Sequence, residues 1–153
     1  MEYDFHKGDW VLSCAMPYPQ FVKIKEEHTD IEIVADIRDE ANNRITTAII
    51  DWEDLESIPI EPAVLEAFGF KEGVLNDTAQ PCWIMWWIET DTQTSVEVWP
   101  EKFQDTDGTD WICRINRQLN HCQVQVKNIH EIQHAMRVAR IKKELKYKEK
   151  ETF

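Results

Sequence analysis

Through the first sixty residues apolar and polar side chains alternate in short runs, the period of strands with one buried face. Gly8-Asp9 leads into Trp10-Val11-Leu12, and a proline-rich turn at 16–19 precedes Phe21-Val22-Lys23-Ile24-Lys25. Ile31, Ile33 and Ala35 then alternate with Glu32 and Asp36, and 45–52 is rich in β-branched residues, with Asn42-Asn43 as the turn between these two runs. The pattern predicts a small curled antiparallel sheet or barrel over 1–60. Pro62 next occupies a helix first turn, Val64, Leu65 and Phe68 give it an apolar side, and Gly69 is placed to stop it. That helix belongs to a short connecting segment, 61–75.

The region 80–141 opens on Cys82-Trp83-Ile84-Met85-Trp86-Trp87-Ile88, in which alternation sends apolar side chains to both faces. Such a run reads as a strand covered on each side, with a pocket wall or a subunit contact as the alternatives. A polar turn follows, then strands over 95–99, 110–116 and 121–126. Asn128 starts a helix that runs to Arg140, with Glu131 reaching back in an Asn variant of the capping box. Its apolar stripe, Ile129, Ile132, Ala135, Met136 and Ala139, is about 120° wide. His130, His134 and Arg137 are expected to face away from it. Residues 142–153 alternate charges without an apolar period and read as a frayed helical tail. The chain is therefore expected to be α+β and mostly antiparallel: about eight strands in two small sheets or barrels, one short central helix and one C-terminal helix.

Charge changes this picture more than size does. The 153 residues, 42% apolar, suit one domain or two small subdomains, but the net charge is −12. Residues 137–150 carry seven Lys or Arg against two Glu, so the remainder is more acidic still, and duplex nucleic acid is excluded as a partner. No apolar run approaches the length that spans a bilayer. Cys14, Cys82, Cys113 and Cys122 show no C-x-x-C spacing and follow no signal peptide, which points to free thiols in a reducing cytoplasm. With a turn at Arg117-Gln118, Cys113 and Cys122 would sit opposite each other.

His130-Glu131-Ile132-Gln133-His134 spells the H-E-x-x-H pattern of zinc peptidases, whose i, i+4 imidazoles share one Zn²⁺. A third ligand is required, and the extended pattern would need Gly and His where this chain has Arg137 and Arg140. Two guanidinium groups beside a divalent cation repel it, and Glu131 is already used as a cap. A zinc-dependent hydrolase through His130, Glu131 and His134 is thus the weakest alternative, and no metal is expected. Nucleophilic catalysis finds no G-x-S-x-G elbow and no glycine-rich phosphate loop in a chain with four glycines. Asp105-Thr106-Asp107-Gly108 fails as a calcium loop, because Phe103 falls where the first ligand belongs. The acid clusters Asp36, Asp39, Glu40 and Asp51, Glu53, Asp54 read as solvated loops. No motif requires a cofactor.

Seven tryptophans are the compositional outlier. Trp86, Trp87, Trp99 and Trp111 offer stacking surfaces, and Arg114, Arg117, His130, His134 and Arg137 are cations near them, a set that would hold a phosphate-bearing ligand by Arg forks and ring stacking. Against it stands the ordinary fate of an Arg or His on an acidic protein, a solvated ion pair.

Gly8-Asp9-Trp10-Val11, the segment Ile58-Pro59-Ile60-Glu61-Pro62-Ala63-Val64-Leu65-Glu66-Ala67-Phe68-Gly69-Phe70, and the terminal Ile129 to Arg137 are similar to an uncharacterised family of small proteins of gut bacteria and of their phages and mobile elements. That family carries an I-P-L-T-x-x-x-L-x-x-x-G-F stretch and ends in a V-H-x-L-Q-N helix. The resemblance spans most of the chain and implies architecture rather than chemistry. In it the residue matching His134 is usually Asn, which counts against a two-histidine metal site. Ile132 in place of Leu and the Trp-rich strand depart from it. The setting it implies is phage or mobile-element counter-defence. The sequence thus leads to a non-enzymatic binding protein, homo-oligomeric through the Trp strand or the last helix, that sequesters a small phosphorylated or nucleotide-derived ligand as a sponge. The alternative from another class is an acidic interaction inhibitor or nucleic-acid mimic docking a basic host protein.

Overall fold

The computed structural model describes residues 5–15, 19–39, 44–75, 80–89, 91–101, 110–117 and 120–148. Two units divide the chain, Met1–Ile58 and Pro59–Phe153, and each is built on one open five-stranded antiparallel sheet, not a barrel. The turns expected at 16–19 and at Asn42-Asn43 and the loop 105–108 lie wholly or mostly outside the described residues.

In the first unit β1 (Trp10–Ser13), β2 (Gln20–Glu27), β3 (Glu32–Asp39) and β4 (Arg44–Asp51) pair in succession. A 3-10 turn at Trp52–Asp54 then lets β5 (Leu55–Glu56) return to β1, for an order β4-β3-β2-β1-β5. The alternation read from the sequence is the burial pattern observed: Val11, Val22, Ile24, Ile33, Ala35, Ile50, Trp52 and Leu55 form the core, with Phe5 beside them. A bulge between Ile24 and Glu26 shifts the β2–β3 register. Gly8 explains how the sheet begins. Its φ of 90°, open to glycine without strain, lets its N–H donate to the Ile24 carbonyl at 2.8 Å while Ile24 N–H donates back to the Asp9 carbonyl at 3.0 Å. The fully buried Asp9 carboxylate accepts the His6 N–H at 2.8 Å.

The second unit starts with α1 (Pro62–Ala67), which ends as its sequence requires. Gly69, at φ 97°, donates to the Glu66 carbonyl at 3.0 Å and Phe70 donates to Leu65 at 3.0 Å, the paired bonds of a Schellman stop. β6 (Lys71–Val74), β7 (Pro81–Glu89), β8 (Thr92–Pro100), β9 (Trp111–Arg117) and β10 (Asn120–Val126) form a plain meander in the order β10-β9-β8-β7-β6. α2 (Ile129–Val138) packs against β9 and β10, and α1 against β6 and β7.

Several expectations need correction. Among the described residues there are ten strands rather than about eight, because β5 and β6, of two and four residues, are too short to show an alternation. β7 is not covered throughout: β6 pairs with Pro81 to Ile84 alone, and beyond it Trp86 is 63% exposed and Ile88 is exposed as well. Residues 142–148 are not helical. They follow α2 as an irregular strap in which Leu145 is 1% exposed and Ile141 is buried, the Lys148 N–H donates to the Ala67 carbonyl at 2.7 Å, and the Tyr147 ring lies 5.4 Å from that of Phe68. Two apolar pegs four residues apart among lysines make no periodic signal, yet they suffice to anchor the segment.

A candidate anion-binding site

The residues expected to form a ligand site are brought together only in part. Strand register decides this. Trp86 shares a face of the sheet with Ser95 and Asn116, and Trp99 and Arg114 lie on that same face; Trp87, Trp111 and Arg117 lie on the other. Arg114 is spent on Glu97, with Nε to Oε1 and Nη2 to Oε2 both at 3.2 Å, while its guanidinium covers the Trp99 ring at 5.2 Å. Asn116 joins the same cluster by donating to Ser95 Oγ at 3.1 Å and to the Glu97 carboxylate. On the opposite face Trp111 is buried edge-on to Trp83 at 5.7 Å, Trp87 donates to Glu89 Oε2 at 3.0 Å, and Arg117 lies 4.0 Å from Glu89. The Trp87 indole N–H, more than the neighbouring cations, holds the Glu89 carboxyl below its usual range.

The helix carrying His130 and His134 is capped as predicted, but its orientation corrects the reading. His130 is 2% exposed and Gln133 is buried too, so the covered face is ~160° wide rather than the narrower apolar stripe. At the helix start Pro59 bridges Asn128 and Ile60 N–H donates to the Lys127 carbonyl at 3.1 Å, which lays another segment of the chain beside the residues that lead into the helix. His130 and His134 meet edge to face with centroids 5.4 Å apart, and Arg137 is exposed. Glu131 Oε1 accepts three donors, the N–H groups of Lys127 and Asn128 and Asn128 Nδ2, each at 3.1 Å. Among the described residues no group of three or more His, Cys, Asp or Glu could hold a metal ion.

All four cysteines are free. Arg117 pairs with Asn120, so Cys113 faces Val124 and Cys122 faces Ile115, a register two residues from the one expected, which makes the two thiols diagonal rather than opposite. Burial pushes the Cys113 thiol up to about 12, and Cys122 adds to the effect.

What the fold does assemble is a cavity of about 710 Å³ in the second unit. Phe68 and Gly69 from the end of α1 and Ile84, Met85 and Trp86 from β7 supply its apolar wall. Lys71 of β6 and Lys142, Lys143, Lys146 and Lys148 of the strap supply the charge, against one carboxylate, Glu144. Among the described residues none of these five ammonium groups lies within salt-bridge distance of a carboxylate. Lys143 Nζ also stands 5.4 Å from the centre of the Trp87 ring. Five cations around one recess in a chain of net charge −12 form a local inversion of the field, strongest where apolar walls displace water. The exposed Trp86 adds a flat surface for a ring.

Sequence reasoning reached Trp86 and missed all five lysines. The signal was present, since residues 137–150 hold a net +5 in an acidic chain, but a segment read as a frayed tail was given no role. Comparison of the chain with protein-family models, with curated proteins and with solved structures gives no match in any of the three. No helix among the described residues is long and apolar enough to cross a membrane.

Proposed function

We propose that this chain is a non-enzymatic cytoplasmic binding protein that sequesters a small phosphorylated, nucleotide-derived ligand in the lysine-lined recess. The observation that supports this reading is the conjunction of five lysines with the exposed Trp86 around one cavity. Lysine is a point charge with three donors and tolerates phosphates in several poses, while an indole face stacks on a base regardless of its identity. The chemistry suits capture better than turnover. None of the lining residues forms a nucleophile–base pair, and the recess holds a single carboxylate. The resemblance to phage and mobile-element proteins fits a sponge that removes a host nucleotide signal.

Calorimetric titration with a panel of cyclic and linear nucleotides, read in parallel by tryptophan fluorescence, tests the proposal. At least one ligand is expected to bind in the micromolar range, to weaken as salt rises and to weaken about tenfold in Trp86→Ala, roughly 1.4 kcal/mol. No binding tighter than about millimolar across the panel removes the reading.

A further inference from the structure

We infer that the free edge of β4 pairs with β4 of a second copy, joining two first-unit sheets into one continuous ten-stranded sheet about a two-fold axis through Thr47. The inference stands apart from the ligand recess and uses none of its residues.

An edge strand offers a row of unpaired backbone donors and acceptors, and proteins that remain single usually blunt it by shortness, charge, proline or a bulge. Three of the four sheet edges among the described residues show some such blunting. β5 has two residues, β6 has four and carries Lys71 and Glu72, and β10 turns outward the polar row His121, Gln123 and Gln125. β4 shows none of it. It runs for eight residues in unbroken register with β3, and between Arg44 and Asp51 it has no charged residue and no proline. Ile45 is 71% exposed and Ile49 54%, and with Thr47 between them they form the outer row of the strand.

The spacing of that row selects both the partner and the register. A two-fold axis normal to the sheet keeps outer residues opposite outer residues. With Thr47 opposite Thr47, Ile45 of each copy falls opposite Ile49 of the other, so the exposed isoleucines and the central threonines all gain a β-branched partner while each Thr47 hydroxyl keeps its bond to Asp36. Sliding by one residue to centre on Ala48 would set Ile45 against Asp51, an apolar side chain against a charge. Centring on Thr46 would set Ile45 against Thr47 and leave Ile49 beyond the pair. One register is therefore self-complementary, as an interface between identical copies must be. A foreign strand has no such constraint to meet.

Sedimentation equilibrium at about 100 µM chain is expected to give twice the 18.2 kDa chain mass, dissociating on dilution. Thr47→Lys places two like charges at the axis and is expected to give a single-chain mass with an unchanged circular dichroism spectrum. In a Cys14→Ser/Cys122→Ser background, Thr47→Cys should oxidise to a covalent dimer, because self-opposed Cα atoms lie about 4.5–5.5 Å apart in either type of antiparallel pair, within disulfide range. Ile45→Cys, in the same background, should not cross-link to itself. A wild-type protein that stays monomeric overturns the inference, whether the edge is bare or taken by another protein. So does a dimer that Thr47→Lys leaves intact, or one in which Thr47→Cys fails to cross-link.

Discussion

The two sheets have five antiparallel strands each and differ in what they add to that plan. Met1–Ile58 carries fourteen acidic against five basic side chains, a net −9, and settles its outer-face charges locally: Asp36 takes both the Thr47 hydroxyl at 3.0 Å and the Lys25 ammonium at 3.5 Å. Pro59–Phe153 carries a net −3 that conceals a strongly basic strap laid beside an otherwise acidic body. The strands of the second sheet are a plain meander, and what sets that unit apart is the segment that follows its last helix. Residues 142–148 run along one flank of the second sheet and carry four exposed lysines, none within salt-bridge distance of a described carboxylate.

The largest effect is expected from loosening the strap. Leu145→Ala deletes a fully buried side chain and is expected to cost about 2–5 kcal/mol in urea denaturation followed by tryptophan fluorescence. Ile31→Ala, an exposed apolar site in the first unit, should stay within about 0.5 kcal/mol. Equal costs would mean that the strap does not anchor the second unit. Gly69→Ala imposes φ 97° on a residue with a Cβ, and a loss of about 1–2 kcal/mol is expected from the same measurement. Arg114→Met removes the fork on Glu97 and the cover over Trp99. Because the pair is partly exposed, about 1 kcal/mol is expected, visible also as a change in Trp emission.

Two milder tests separate the units without perturbing them. Ellman's reagent at pH 8 should titrate the exposed Cys14 and Cys122 in the folded protein and reach Cys82 and Cys113 after unfolding. Cys122 should react before Cys14, whose thiol is raised by desolvation and by Glu56. Four fast thiols would contradict the buried second-sheet interior. Glu89, held below its ordinary value of 4.5 chiefly by the Trp87 indole, stabilises the folded state above that value and loses its contribution as pH falls through the depressed one. Glu89→Gln, which keeps an acceptor for the indole but removes the charge beside Arg117 and Lys142, is expected to lower stability at pH 7 and to flatten its fall below about pH 4.5, so that the two proteins converge in acid.

Much of the architecture was legible because two-periodic alternation and helix stops are local. Val11, Val22, Ile24 and Ile33 announced their buried face, and Pro62 with Gly69 bracketed α1 to within a residue or two. The site was far less legible. Trp86 was named among the ligand residues, but Trp99, Arg114, Trp111 and Arg117 were grouped by nearness in sequence, and only the register shows that the sheet puts Trp99 and Arg114 on one face and Trp111 and Arg117 on the other. The lysines escaped because their convergence depends on where Ile141 and Leu145 dock, which no local pattern encodes. His130 misled because a wheel drawn for one helix omits its neighbours, and the burial of His130 is set by packing outside the helix.

Gly69 ends α1 and also stands at the rim of the recess, where an added methyl would meet Met85 Cε at 3.5 Å. Helix length and cavity depth are thereby locked to a single backbone position. A variant with a roomier or tighter recess would have to change Ile84, Met85 or the lysine strap instead, while the turn at Gly69 stays fixed.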